Sequence, residues 1–315
     1  MSAGSPDRTS GLPFVTGDEV RRRVGPDEAR RLVERALLDG FDPADDPARS
    51  SVAAGAGQLL LMPSVFGDWA GVKIATVAPD NPARGLPRIQ ATYLLLDAAT
   101  LTPRLQLDGS ALTELRTPAT SAVAADHLAA PDARRLVVVG TGPQAVEHAV
   151  AMAAVRDLDD VALVGRDPGR LAAAVETLVA RGLPAREGST SDVADADLVV
   201  CATSAGEPLF DGALVGDGAC VVAIGSHEPG RRELDSGLMG RALVVVEDRA
   251  TAMRECGDVV LAVDEGALRP DDLVPLADLV RGHARATDRP NVFKGSGMSW
   301  QDLAVAVGVA EAGEA

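Results

Sequence analysis

The sequence predicts an α/β protein: a doubly wound parallel sheet, preceded by a smaller region with a mixed or antiparallel sheet. Three observations carry this. An apolar, β-branched run at 136–139 leads straight into Gly140-Thr141-Gly142-Pro143-Gln144-Ala145 and then a helical stretch. From there apolar strand-length runs alternate with helical patterns, the signature of βαβ units. Before it, several strands follow one another without crossover helices, which suits an antiparallel or mixed sheet. A chain of 315 residues is long enough for two such domains.

The glycine stretch organises the rest. Strand, Gly-x-Gly-x-x-Ala turn and helix is the context in which this motif binds a dinucleotide. Gly140 permits the tight turn. Gly142 lets backbone N–H groups approach a pyrophosphate at the positive end of the following helix. Ala145, the third small residue, allows close packing of helix on strand.

Taken in order, residues 1–12 are polar and read as disordered. A helix is expected at 26–38, with Pro26 in its first turn and an apolar stripe through Ala29, Val33 and Leu37. A polar loop at 41–51 carries Arg49, and a strand at 58–62 is expected to break at Pro63. A second strand at 69–77 contains Lys73. Pro79, Pro82 and Pro87 mark a loop, and runs at 89–97 and 102–107 form a hairpin. A helix is expected at 119–128, with a boundary at Pro131 and Asp132. Parallel strands follow at 136–139, 161–164, 198–202, 220–224 and 243–247, with helices at 144–155, 168–181 and about 250–256. Residues 293–297 read as a short loop, and 299–309 as a helix capped by Ser299.

Composition narrows the function. The net charge of −16 argues against binding nucleic acid or an anionic membrane surface. No apolar run approaches a membrane span, and the polar N-terminus lacks a signal core, so a cytoplasmic protein is expected. Cys201, Cys220 and Cys256 form no Cys-x-x-Cys pair and read as buried free thiols. The four histidines lack metal-ligand spacing, so no metal is expected. Of 30 basic residues only Lys73 and Lys294 are lysines. A compact ammonium shifts its pKa and carries protons, which guanidinium does not.

Several stretches together resemble the ornithine cyclodeaminase/mu-crystallin family. They are Leu61-Met62-Pro63, Gly71-Val72-Lys73, the run from Leu112 through Arg116-Thr117-Pro118 to Ala122, and the glycine motif. Glu233-Leu234-Asp235 and the run from Val292 through Lys294-Gly295 to Gly297 extend the match, which covers about residues 25–312. The resemblance implies a Rossmann-type sheet, residues 118–289, inserted into a smaller α+β substrate and dimerisation domain of residues 1–117 plus 290–315. It further implies a nicotinamide cofactor, a small α-imino or α-amino acid substrate, and a homodimer.

Site residues carry over position by position. Arg49, Lys73 and Arg116 are implied to bind the substrate carboxylate, a good clamp for a planar anion, with Lys73 able to exchange protons. The implied cofactor positions are Arg116, Thr117, Gly140, Gly142, Pro143, Gln144, Gly165, Arg166, Thr203, Ile224, Gly225, Ser226, Lys294 and Gly295. Two departures are informative. His227 stands where cyclodeaminases carry a catalytic aspartate; it can exchange protons but supplies no carboxylate for a cationic intermediate. The second strand ends in Gly165-Arg166 where an NAD site has an acidic residue, which favours NADP(H) over NAD(H).

The expected reaction is therefore reduction of a C=N bond beside a carboxylate, in a cyclic ketimine of the pyrroline-2-carboxylate or piperideine-2-carboxylate type. Lys73 or His227 would supply the proton. The alternatives are an ornithine or lysine cyclodeaminase using NAD catalytically, an alanine-type amino-acid dehydrogenase, and a non-catalytic NADPH-binding protein.

Overall fold

The computed structural model describes residues 11–314, so the first ten residues of the expected disordered tail lie outside it. The chain opens with β1 (Phe14–Val15), α1 (Gly17–Arg23) and α2 (Pro26–Leu38). Five strands follow: β2 (Ser50–Ala54), β3 (Gly57–Phe66), β4 (Trp69–Val77), β5 (Ile89–Asp97) and β6 (Pro103–Asp108). With β1 they form one sheet in the order β1-β6-β5-β4-β3-β2, antiparallel except for β1 against β6. The helix α3 (Gly109–Leu128) leads out of it.

The second sheet is parallel throughout. Its first half holds β7 (Arg135–Val139), α4 (Pro143–Ala153), β8 (Asp160–Val164), α5 (Pro168–Ala180) and β9 (Ala185–Glu187). Next come β10 (Leu198–Cys201), β11 (Cys220–Ala223), α6 (Ser236–Arg241), β12 (Leu243–Val246), α7 (Arg249–Glu255) and α8 (Gly257–Asp264). The remainder is β13 (Val274–Pro275), α9 (Leu276–Val280), β14 (Asn291–Lys294) and the closing helix α10 (Ser299–Glu314). Strand order is β13-β12-β14-β11-β10-β7-β8-β9. The winding reverses between β7 and β10, and open α/β sheets bind ligands at the carboxyl ends of strands at such a point.

Three expectations are corrected. β3 runs through Pro63 instead of ending there. Its pairing with β2 stops at Leu61, so Pro63 has a sheet neighbour on one side only, and an edge tolerates a missing N–H. Helix α3 begins ten residues earlier than expected and carries Pro118 inside it. Asp108 caps it, accepting from the N–H groups of Ser110 and Ala111 at 2.9 and 3.1 Å. Around the proline, the hydroxyls of Thr113, Thr117 and Thr120 donate to carbonyls four residues back at 2.8–2.9 Å, a pattern that bends helices without ending them. Finally, Asn291–Lys294 is no loop: β14 is a buried strand between β11 and β12. Four residues flanked by proline and glycines are too few to show a strand period.

α10 closes the molecule, packing on β3, β4, α2 and α3. It therefore brings residues near the C-terminus onto the face of the first sheet that carries Lys73. Trp300 at its start is buried against the ring of Phe41, with ring centroids 5.6 Å apart. All three cysteines are buried and free.

Candidate active site

β4 alternates its side chains across the sheet, which turns Lys73 inward and Ile74 outward. Lys73 is 3% exposed. Its Nζ donates to Asp302 Oδ2 at 2.6 Å and to Thr113 Oγ1 at 3.3 Å. Burial lowers its pKa to about 8; Asp302 resists this, and the charges of Arg116 and Arg49 add to it.

Arg116 comes from α3, one turn beyond Thr113. It is buried, donates to Gln301 Oε1 at 2.8 Å, and its Nε stands 3.5 Å from Asp302 Oδ1. Gln301 in turn donates to Glu247 at the end of β12. Glu247 also accepts from the N–H groups of Ser296 at 2.8 Å and Gly297 at 2.9 Å. A chain of buried polar groups thus fixes the Arg116 guanidinium from the floor of the second sheet. Arg49 lies in the loop before β2 and pairs with Glu255 of α7, an ion pair that bridges the two sheets' lobes.

The dinucleotide elements line the switch point. Gly140 has φ +140°, and a Cβ there would lie 2.5 Å from the Ala202 carbonyl oxygen. Gly142 precedes α4, with open space where a side chain would stand, and Pro143 takes the first helical position. The Gln144 Oε1 is buried without a protein partner. Thr203 follows β10 and donates to Glu233 through N and Oγ1 at 2.8 and 2.7 Å. Gly225 N donates to the other Glu233 oxygen at 2.7 Å, and a Cβ on Gly225 would meet Thr203 O at 1.9 Å. Glu233 thereby locks together the two loops that follow β10 and β11. Ile224 and Ser226 flank Gly225 and are buried; Ser226 Oγ accepts from Gly257 N at 3.1 Å. Thr117 is half-buried on α3, one residue past Arg116. Gly165 and Arg166 follow β8; Arg166 is exposed, and Asp167 turns back to cap α5, accepting from Arg170 N at 2.8 Å. The open cradle over α4 and the unused Gln144 acceptor fit a dinucleotide.

Two further expected cofactor positions are buried. Lys294 is fully buried. Its Nζ lies 3.5 Å from Asp258 Oδ2 and donates to Ala223 O at 3.3 Å. Burial works against this ammonium, but Asp258, Cys256 and Glu233 keep its pKa above the ordinary value. Gly295 is likewise buried, against Phe293 and Ile224. Both residues pack into the base of the parallel sheet's carboxyl edge. His227 is exposed on the loop after β11. Partial loss of hydration and the charges of Lys294, Arg49 and Arg116 lower its pKa below the ordinary histidine value. A lowered pKa favours the neutral imidazole.

Sequence reasoning missed Asp302, Gln301, Glu247 and Glu255. A signal existed for two of them: Gln301 and Asp302 interrupt an otherwise apolar helix, which makes polar residues on a buried face. Among the described residues no cluster of His, Cys, Asp and Glu has metal-binding arrangement.

The ornithine cyclodeaminase/mu-crystallin family model matches residues 20–315. The chain belongs to this family. A Delta(1)-pyrroline-2-carboxylate reductase from Bacillus cereus is 33% identical over 93% of this chain and 94% of its own length. Among solved structures, the Delta(1)-pyrroline-2-carboxylate reductase of Thermococcus litoralis, in complex with NADH and L-proline, superposes with a TM-score of 0.90. It is 25% identical, over 96% of this chain and 98% of that one. An archaeal alanine dehydrogenase dimer with bound NAD also reaches 0.90, at 28% identity over 96% of each chain. These likenesses to family members span both sheets, in keeping with the Rossmann-type α/β architecture described above.

Proposed function

We propose that the protein is a nicotinamide-dependent oxidoreductase that reduces the C=N bond of a small cyclic ketimine carboxylate. Pyrroline-2-carboxylate and piperideine-2-carboxylate are the substrate types. One observation carries the reading: a buried lysine is paired with Asp302 and lies under the charges of Arg116 and Arg49, and Arg116 is tied through Gln301 and Glu247 to the parallel sheet. Two reductases of pyrroline-2-carboxylate among its relatives support it.

Arg116 and Arg49 hold the carboxylate; Arg49 exchanges its Glu255 partner for the substrate. When bound, the reduced nicotinamide supplies the hydride. Lys73 Nζ gives the proton that the imine nitrogen needs, and Asp302 keeps that ammonium charged in a buried place. Glu233 fixes the Thr203 and Gly225 backbone that borders the nicotinamide's place.

For the cofactor we infer a preference for NADP(H). Arg166 is exposed at the end of β8, and its neighbour Asp167 is committed to capping α5. A 2′-phosphate would meet a guanidinium and no carboxylate there. We further infer a homodimer, formed over the apolar outer face of the first sheet, where Val52, Val65 and Ile74 are exposed. The domain division proposed is the first sheet with α1, α2 and α10 against the parallel sheet, with α3 shared. No helix among the described residues is long and apolar enough to cross a membrane. Three buried free thiols suit a reducing cytoplasm.

The test is a substrate panel followed by the near-ultraviolet absorbance of the reduced nicotinamide. Cyclic ketimine carboxylates should be reduced, faster with NADPH than with NADH. Ammonia release from ornithine or lysine with NAD, and no ketimine reduction, would sink the reading.

A further inference from the structure

A group of buried polar atoms behind Lys73 is left over by this account. Asp46 Oδ1, Ser64 Oγ, Tyr93 Oη and Trp300 Nε1 are buried without a protein hydrogen-bond partner, while Arg116 Nε and Asp302 Oδ1, also without a hydrogen bond, face each other at 3.5 Å. The others so placed, Arg30 Nε, Gln144 Oε1 and Asp258 Oδ2, lie elsewhere. Buried polar groups in native proteins are almost always paired, to protein or to ordered water. Those of Asp46, Ser64, Tyr93 and Asp302 lie near one another behind Lys73.

These groups run in one direction. Lys73 and Tyr93 are directly opposite on β4 and β5, and both side chains are buried. Ser64 on β3 is opposite Gly71, and the space a Gly71 side chain would fill is taken by the Tyr93 hydroxyl, 2.1 Å from that Cβ position. Tyr93 stands between two carboxylates, Asp302 and Asp46, close enough that both add to the rise in its pKa caused by burial. Asp46 accepts from Trp300 N at 3.1 Å and is partly exposed. It lines a surface cavity with Arg49, Met62, Glu255 and Ser299. From Asp46 a polar track leads past Ser64 and Tyr93 to Asp302, which holds Lys73 at 2.6 Å.

The geometry points to a proton relay, in which Asp46 and Tyr93, with Ser64 and ordered water, return a proton from solvent to Lys73 after each turnover. The inference rests on Lys73 being the proton donor. Each reduction of a C=N bond consumes one hydride at carbon and one proton at nitrogen. The proton leaves Lys73 Nζ, and the amine left behind takes one from the relay through the Asp302 and Tyr93 side. Asp46 gives up its carboxyl proton and regains one from water. The groups facing Lys73 are Asp302 from α10, Arg116 from α3 and Arg49 from the loop before β2; Asp302 faces Asp46. Burial raises the Asp46 pKa to about 6, so the carboxyl still exchanges with solvent near neutrality, and transfer toward Lys73 runs downhill.

Asp46→Asn and Tyr93→Phe test this in the full-length protein loaded with reduced dinucleotide, mixed with a cyclic ketimine carboxylate in a stopped-flow instrument. A relay variant starts with Lys73 already charged. Its first turnover should match wild type, and later turnovers should slow about 100-fold, the lower end of general acid–base effects. Added formate or acetate should restore the steady rate of Asp46→Asn. An equal slowing of the first turnover, an unchanged steady rate in both variants, or no recovery with carboxylate buffers would overturn the relay. Lys73→Ala, run beside them, separates the two claims: a fast first turnover there would remove Lys73 as the donor, whatever Asp46→Asn does.

Discussion

Lys73 Nζ stands 2.6 Å from Asp302 Oδ2, and both side chains are shut away from solvent. The two residues are 229 positions apart in the chain, so the pair exists only because α10 returns to the first sheet. Burial depresses the ammonium and the carboxylate props it up, which leaves a lysine near pKa 8 where an exposed one would hold its proton far longer.

A pH profile follows from that balance. The donor form is the ammonium, present below about 8 and lost as the pH rises through it. kcat/KM for reduction should therefore fall above a pH of about 8, and oxidation of the amino acid should rise over the same span. Asp302→Asn removes the group that raises the lysine, so its falling limb should move to lower pH. A limb unmoved in Asp302→Asn would show that another group titrates.

Arg116 should depend on its support. Gln301→Ala frees the guanidinium from the Glu247–Gln301 chain without removing it. Losing one hydrogen bond to a charged group is worth about 1.5–3 kcal/mol, so KM for the ketimine should rise by about tenfold or more. Initial rates at varied ketimine concentration check this. Arg116→Lys should not rescue, because one ammonium does not reproduce the planar fork.

Lys294 is a prediction about stability. Lys294→Met leaves Asp258 without its cation in a fully buried place. Breaking a buried pair from one side costs about 3–5 kcal/mol, which urea unfolding should show as a lower midpoint. The enzyme that remains folded should keep its KM for the dinucleotide. A raised dinucleotide KM at unchanged stability would return Lys294 to the cofactor contacts.

Arg166→Ser addresses cofactor choice. With the guanidinium gone, KM for NADPH should rise by about tenfold or more, the worth of a charge-assisted contact to phosphate, and KM for NADH should hardly change. Equal effects on both would make Arg166 an ordinary surface residue.

Much of the fold was legible in the sequence because its cues are local. The helix at Pro26–Leu38 and the strands Trp69–Val77 and Ile89–Asp97 announce themselves by period and punctuation. Where tertiary context outweighs local cues, reading failed. Pro118 looks like a helix start and is a helix interior, since flanking threonines and packing on α2, α4 and α10 absorb its cost. β14 is a central strand with the length of a loop. In the site, Lys73 and Arg116 were marked by resemblance, but Asp302 was not, because a carboxylate in a helix's first turn ordinarily faces water. Only the return of α10 to the sheet makes it a partner.

The most direct measurement sets wild type beside Lys73→Ala, with Δ1-pyrroline-2-carboxylate and reduced dinucleotide, following loss of nicotinamide absorbance. Wild type should turn over, and Lys73→Ala should lose about 100-fold or more in kcat/KM, the usual worth of a general acid. Near-wild-type efficiency in Lys73→Ala would contradict the account.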